Sequence, residues 1–196
     1  MAKTLLEMAG ANLTPAKLGE ATLLLIDCQN EYRTGAVPLP GVDAAMEEVA
    51  TLLAAARAEG TPIIHVAHKG QAGSLFDRDA DNGAFMSEAA TMEGETIIEK
   101  GLPNAFAGTD LVSALESTER KKLVIAGFMT HMCISSTARA AIDHGYFSTV
   151  VASACATRDL PTLDGGVMAA NDLHNAELIA LSDRFAIIAG TSAAVI

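Results

Sequence analysis

The chain has no tryptophan, two tyrosines and three cysteines in 196 residues. Each shortage excludes something. With aromatics at 4% and no tryptophan, there is no ready set of rings on which nucleic-acid bases could stack. No run of roughly eighteen or more apolar residues appears, so no membrane-spanning helix is expected. Cys28, Cys133 and Cys155 are odd in number and widely spaced, and none belongs to a C-x-x-C pair. That pattern suits reduced thiols better than a disulfide framework. Basic residues are scarce as well: 13 Lys and Arg against 24 Asp and Glu give a formal net charge of −11. Such a field repels phosphate backbones and anionic lipid, so neither nucleic acid nor membrane is expected as a partner. The opening residues Met1-Ala2-Lys3-Thr4-Leu5-Leu6-Glu7 carry no long apolar segment with a cleavage site, which predicts a cytoplasmic protein.

What the chain has in quantity is hydrophobic residues, 50% of the total. That is enough for one domain over residues 1–196 with a substantial core. Residues 1–20 read as a surface arm with a turn at Leu13-Thr14-Pro15. Thr22-Leu23-Leu24-Leu25-Ile26 is a continuous apolar run, the pattern of a strand covered on both faces. It delivers Asp27-Cys28-Gln29-Asn30 at its end. From Val42 to Ala58 the residues Met46, Val49, Leu52, Leu53 and Ala56 fall on one helical face, and Gly60 punctuates the end. Pro62 to His68 is a second strand, so a right-handed parallel crossover is expected. Residues 69–94 have no clear period and read as a lid or substrate loop with at most a short helix. Glu95 to Lys100 forms a third strand that ends in a lysine, and Gly108-Thr109-Asp110 introduces a helix to Ser117. Ser148 to Ala152 is a further strand, Leu163 to Leu181 reads as a helix, and Phe185 to Ile188 closes the sheet. The alternation predicts an α/β fold: a three-layer, doubly wound, Rossmann-like sheet of about six mainly parallel strands with helices on both faces.

The stretch Leu123-Val124-Ile125-Ala126-Gly127-Phe128-Met129-Thr130-His131-Met132-Cys133 organises the rest. An apolar strand ends in glycine, a polar turn follows, and Cys133 opens a small-residue helical pattern that runs to His144. A thiol there sits at a strand's carboxyl end, where open α/β sheets bind ligands, and exposed helix N–H groups favour a thiolate. Asp27 and Lys100 end two other strands on the same sheet edge, so the three groups can converge. An aspartate can serve as base to a cysteine, and a lysine beside both can hold and orient them. Each has a plainer reading when taken singly. Asp27 can cap a loop, Lys100 can lie on the surface, and Cys133 can be a small core residue.

With those residues in place, the chain resembles the isochorismatase-like cysteine hydrolases, which include nicotinamidases, N-carbamoylsarcosine amidases, ureidoacrylate amidases and isochorismatases. The matching pieces are Leu24-Leu25-Ile26-Asp27-Cys28-Gln29-Asn30-Glu31-Tyr32, the run from Lys100-Gly101-Leu102-Pro103-Asn104-Ala105-Phe106 to Leu111, and Gly127 to Cys133 with Thr137-Ala138-Arg139 behind it. They occur in the family's order over residues 20–190. The resemblance implies Asp27 as general base, Lys100 as charged orienting residue and Cys133 as nucleophile. It maps a non-proline cis peptide to Phe128–Met129, with the N–H groups of Met129 and Cys133 as an oxyanion hole. It also implies a homo-oligomer, a dimer or larger, and no cofactor.

One departure narrows the substrate. Nicotinamidases build a metal site on an Asp-x-His beyond the second strand, whereas this chain has His65-Val66-Ala67-His68-Lys69-Gly70 without that aspartate. Two histidines three apart on a strand face opposite ways, so no metal site is expected. Gln29, Tyr32, Phe106 and Thr130 are candidates to border a substrate pocket, and Phe76 and Phe85 to wall it or to pack the lid. Loop position predicts a solvated His131 and an exposed Arg78. Strand alternation turns Cys28 away from Asp27, and Cys155 falls near a pocket rim. The expected function is cofactor-free hydrolysis of a C–N bond in a small amide- or ureide-like substrate through a thioester. The alternatives are vinyl-ether hydrolysis of the isochorismatase type, or a non-catalytic binding or redox-sensing protein that uses Cys133 as an oxidisable thiol.

Overall fold

The computed structural model describes residues 2–196. The apolar run at Thr22 becomes β1 (Ala21–Ile26), every residue of it buried. It pairs in parallel with β2 (Ile63–His68) on one side and with β4 (Lys122–Phe128) on the other. β2 in turn pairs with β3 (Thr96–Lys100), and β4 with β5 (Phe147–Ala156). With β8 (Ala186–Ala189) at the far edge, the six strands run β3-β2-β1-β4-β5-β8, all parallel. The chain winds outward from β1 through β2 to β3, then returns to place β4 on β1's other side. The crevice that this reversal opens lies at the carboxyl ends of β1 and β4, where doubly wound sheets bind ligands.

Alternation along β1 assigns its side chains to two cores. Leu23 and Leu25 pack with Met46, Val49, Leu52 and Leu53 of α2 (Val42–Glu59). Leu24 and Ile26 pack on the opposite face, with residues of α3 (Leu111–Glu116), α4 (Ser135–Asp143) and α5 (Ala170–Arg184). A strand buried on both sides has no polar alternation to show, which is why its sequence reads as an unbroken apolar run. Among the described residues, no helix is long and apolar enough to cross a membrane. The N-terminal arm adds one turn, α1 (Leu5–Met8), closed by a reciprocal Thr4–Glu7 capping box.

Two expectations need correction. The helix expected from Leu163 begins only at Ala170, because residues before it form an antiparallel hairpin of β6 (Leu160–Pro161) and β7 (Val167–Met168). Gly165, at φ +87°, supplies a backbone conformation that a helix cannot continue. The Asp159 carboxylate accepts a hydrogen bond from Ala170 N–H at 2.8 Å and so starts the helix there. Second, β5 runs on to Ala156 rather than stopping at Ala152, through a register shift opposite Ile125 and Gly127. Residues 69–94 are a loop with two single 3₁₀ turns, at Asp81–Gly83 and Ser87–Ala89, held to the body by a Gln29–Phe85 bridge and by Met86 N–H donating to Cys28 C=O at 2.9 Å.

Candidate active site

The site is assembled from the residues at which strands stop. Asp27 follows β1 directly, its N–H bonded to Val66 C=O at 2.8 Å, and takes a left-handed φ of 53° that turns the chain out of the sheet. Aspartate is one of the few side chains that tolerates this. Beside it, Gly127 (φ 119°) brings β4 so close that a Cβ would lie 2.0 Å from the Ile26 carbonyl oxygen. Only glycine fits there. The Phe128–Met129 peptide bond is cis. A π-helical turn, Thr130–Ile134, then carries Cys133 into α4.

Lys100 ends β3, two strands away from β1, a gap of about 10 Å at ordinary strand spacing. A long lysine stem spans it, buried along its length and 2% exposed overall. Its ammonium has three N–H donors and three acceptors meet it: Asp27 Oδ2 at 2.7 Å, Cys133 Sγ at 3.3 Å and His68 Nδ1 at 3.3 Å. Asp27, Lys100 and Cys133, separated by up to 106 positions in sequence (133 − 27), are therefore brought to one point, with Asp27 and Cys133 at 0% and 4% exposure. A buried ion pair needs such saturation to offset its lost hydration. Asp27 Oδ1 is buried without a partner, leaving one carboxylate oxygen free to take a proton.

Opposing influences act on the Cys133 thiol. Burial above all, and then the negative charge of Asp27, push the thiol up to about 12, against the opposing pull of Lys100.

With that geometry in place, comparison with known proteins fixes the lineage. The Isochorismatase domain family matches residues 21–193. The chain belongs to the isochorismatase family, and it is a hydrolase. It is 36% identical over 174 residues to an uncharacterised isochorismatase-family protein of Bacillus subtilis, covering 87% of this chain and 96% of that one. It is 35% identical over 150 residues to the maleamate amidohydrolase of Pseudomonas putida, covering 68% of this chain and 70% of that one. The crystal structure of an isochorismatase from Pseudomonas putida KT2440 superposes with a TM-score of 0.96 at 42% identity, covering 100% of both chains.

The remaining candidates of the hydrolase separate into two groups. Tyr32 is buried, packed edge-on against Phe76 and Phe128 at centroid distances of 5.1 and 5.7 Å. Burial first, then the nearby charges of Asp27 and Cys133, push its hydroxyl well up, which places it against the site. Gln29 lies just as close in sequence, but its amide is fully engaged: it donates to His68 C=O and Gly83 C=O and accepts from His68 N–H, at 2.8–2.9 Å. It fastens the 69–94 loop to β2. Phe106 stacks on His144 at 4.6 Å, in the same core as Cys133. Thr130 is buried with its Oγ1 2.8 Å from His174 Nδ1. Cys28 is buried among Tyr32 and Phe128, with Sγ turned to Ile26 C=O at 3.9 Å. Cys155 is likewise buried, beside Gly127.

Two exposed-residue expectations are overturned. His131 is half-buried and bonds Thr157 Oγ1 through Nδ1, because the turn folds it against the end of β5 rather than into water. Arg78 donates to Gly83 C=O, reaches Glu99 at 3.3 Å and lies 4.9 Å from the Phe85 ring centroid, so it ties the 69–94 loop to itself and to β3. The residue missed as a member of the site is His68. Burial and then the Lys100 charge hold it below its usual range, so it stays neutral, and an ammonium neighbour assigns its proton to Nε2. Its signal was available: His68 ends β2 in register with Lys100. His65, on the strand's other side, is spent on Glu95 at 2.9 Å.

Proposed function

We propose that this hydrolase cleaves a C–N bond of a small amide- or ureide-like substrate through a thioester on Cys133. The observation that carries the reading is the single ammonium of Lys100 in contact with both the Asp27 carboxylate and the Cys133 sulfur. Cys133 Sγ attacks the substrate carbonyl while its proton passes to Asp27 Oδ1. Lys100 stabilises sulfur as negative charge develops, and the N–H groups of Met129 and Cys133 receive the oxyanion. The tetrahedral intermediate collapses, the C–N bond breaks, and Asp27 returns the proton to the departing nitrogen. Water then attacks the thioester, giving its proton to Asp27, which passes it to the departing sulfur as the acid leaves.

Burial of Cys133 supports this reading over a redox sensor, since oxidant-sensitive cysteines are solvent-accessible. The likeness to an amidohydrolase supports amide chemistry over ether cleavage. The test is an amide panel assayed for released amine, with intact-protein mass spectrometry after acid quench. A mass increase equal to the acyl group, confined to the Cys133 peptide and absent from Cys133→Ala, is the expected result. Turnover that survives in Cys133→Ala would overturn the nucleophile assignment.

A further inference from the structure

Among the described residues, Asp27 and Glu31 are the two acidic side chains that are wholly buried, each at 0% exposure. They lie four positions apart and are held in different ways. Asp27 has the Lys100 ammonium. Glu31 has no cation within ion-pair distance among the described residues and is held by N–H groups alone. Ala36 N–H donates to Oε1 at 2.6 Å, while Asn82 Nδ2 and Phe76 N–H donate to Oε2 at 2.5 and 3.4 Å. A buried carboxylate without a counter-ion is costly unless such donors are fixed in place. The Ala36 donor belongs to Glu31's own turn. The other two belong to the 69–94 loop, 45 and 51 positions away. The carboxylate therefore ties that loop to the segment that leaves β1.

What it ties is Phe76, whose φ of +58° lies in the left-handed region that bulky side chains rarely adopt. Both backbone polar groups of Phe76 are engaged, the N–H on Glu31 and the C=O on Gly70 N–H at 3.0 Å. Its half-buried ring lies 5.1 Å from the Tyr32 ring and 5.1 Å from the His68 ring. Those two rings are the neighbours of the reacting groups. His68 touches the Lys100 ammonium, and Tyr32 feels the charges of Asp27 and Cys133. A residue kept in a sparsely populated backbone conformation persists only where its surroundings enforce it, and such residues cluster at active sites and ligand clamps. Here the enforcing group is a carboxylate that contacts neither Lys100 nor Cys133.

Resting on the amide-hydrolase reading above, we propose that Glu31 is a positioning residue for this site, acting through Phe76. It holds the Phe76 ring across Tyr32 and His68, so that a bound amide meets a fixed wall rather than a loose loop.

The test is a cycle of Glu31→Gln, Phe76→Ala and the double variant. Each is assayed on the best amide of the panel. A second readout needs no turnover: the rate at which Cys133 is alkylated by iodoacetamide and by its bulkier N-benzyl derivative. Gln keeps the shape of Glu31 and one acceptor, but sets an NH₂ where the second acceptor stood. Glu31→Gln is expected to raise KM about tenfold, the worth of one hydrogen bond to a charged group, with kcat changed less than about threefold. Phe76→Ala should do the same. The double variant should be no worse than Phe76→Ala alone, the non-additivity of two residues that act as one unit. A loosened wall should speed the N-benzyl reagent relative to iodoacetamide by about threefold or more in all three variants. Cys155, buried in the core, should stay unreactive throughout as the sign that the fold persists. If Glu31→Gln does not fold, Asn82→Ala, which removes one loop donor from a partly exposed side chain, takes its place in the cycle. Losses that add in the double variant, a fall in kcat with KM unchanged, or a rate ratio equal to that of wild type overturns the proposal. A coupled change in the rate ratio with no amide hydrolysed would leave the role of Glu31 standing and sink the amide reading instead.

Discussion

Cys133 and Cys155 make an instructive pair. Both are buried at the carboxyl side of adjacent strands, and burial pushes both thiols up to about 12. Burial acts on both in the same direction. Their neighbours differ completely. Cys155 has the backbone at Gly127 and apolar surroundings, whereas Cys133 has an ammonium at 3.3 Å that also holds a carboxylate. Reactivity here is a matter of what the sulfur can do with its proton and charge once a substrate arrives, and only Cys133 has somewhere to send either.

The largest effect that would sharpen this contrast is on turnover. Cys133→Ala should lower kcat by about 10⁴-fold or more, while Cys155→Ala should leave it within a factor of about three; steady-state assays on the best amide of the panel decide it. A comparable loss in both variants would break the distinction. Next in size is stability. Lys100→Met leaves Asp27 buried and unpaired, and should cost about 3–5 kcal/mol in urea unfolding. For Cys155→Ala, which removes one sulfur from a packed core, a cost of about 1 kcal/mol is expected.

Asp27→Asn separates proton transfer from acidity. Turnover should fall by about 10²–10⁴-fold, because the leaving nitrogen loses its acid and water its base. Yet Cys133 should become easier to alkylate. The Asp27 charge raises the thiol's pKa, so its removal lowers that pKa and enlarges the thiolate fraction at any pH below it. The alkylation profile of Cys133 should shift to lower pH while that of Cys155 stays in place, as peptide mass mapping across pH 7–10 (roughly the range iodoacetamide allows) will show. A shift in the opposite direction would mean that Asp27 does not face the sulfur. The smallest effect is expected at His68. Asn, which presents an oxygen near the position of Nδ1, should keep the Lys100 contact and most of the alkylation rate. His68→Ala removes the acceptor and should slow Cys133 alkylation by about threefold to tenfold, the worth of one typical hydrogen bond.

Strand ends were the most legible feature of the sequence. An unbroken apolar run needs only local pattern to be recognised, and whatever polar residue stops it is delivered to the sheet edge. Asp27 and Lys100 were found that way, as was the turn before Cys133. The segment 160–169 was misread because Leu163, Val167 and Met168 look like helix-face residues, yet all three are exposed on a hairpin that Gly165 and Gly166 permit. His131 and Arg78 were misread for a related reason. Polar residues in loops are usually solvated, and nothing local says that a distant strand end or lid turn will cover them.

The sequence by itself determined the order of strands and helices, the glycine at Gly127 and which side chains would stand at the carboxyl edge. These follow from short-range pattern and backbone sterics. Only the tertiary structure decided that Cys133 is buried against the Lys100 ammonium and that His68 completes the lysine's set of acceptors. Each of those depends on desolvation and on distances between residues far apart in the chain, and both quantities exist only once the chain has folded.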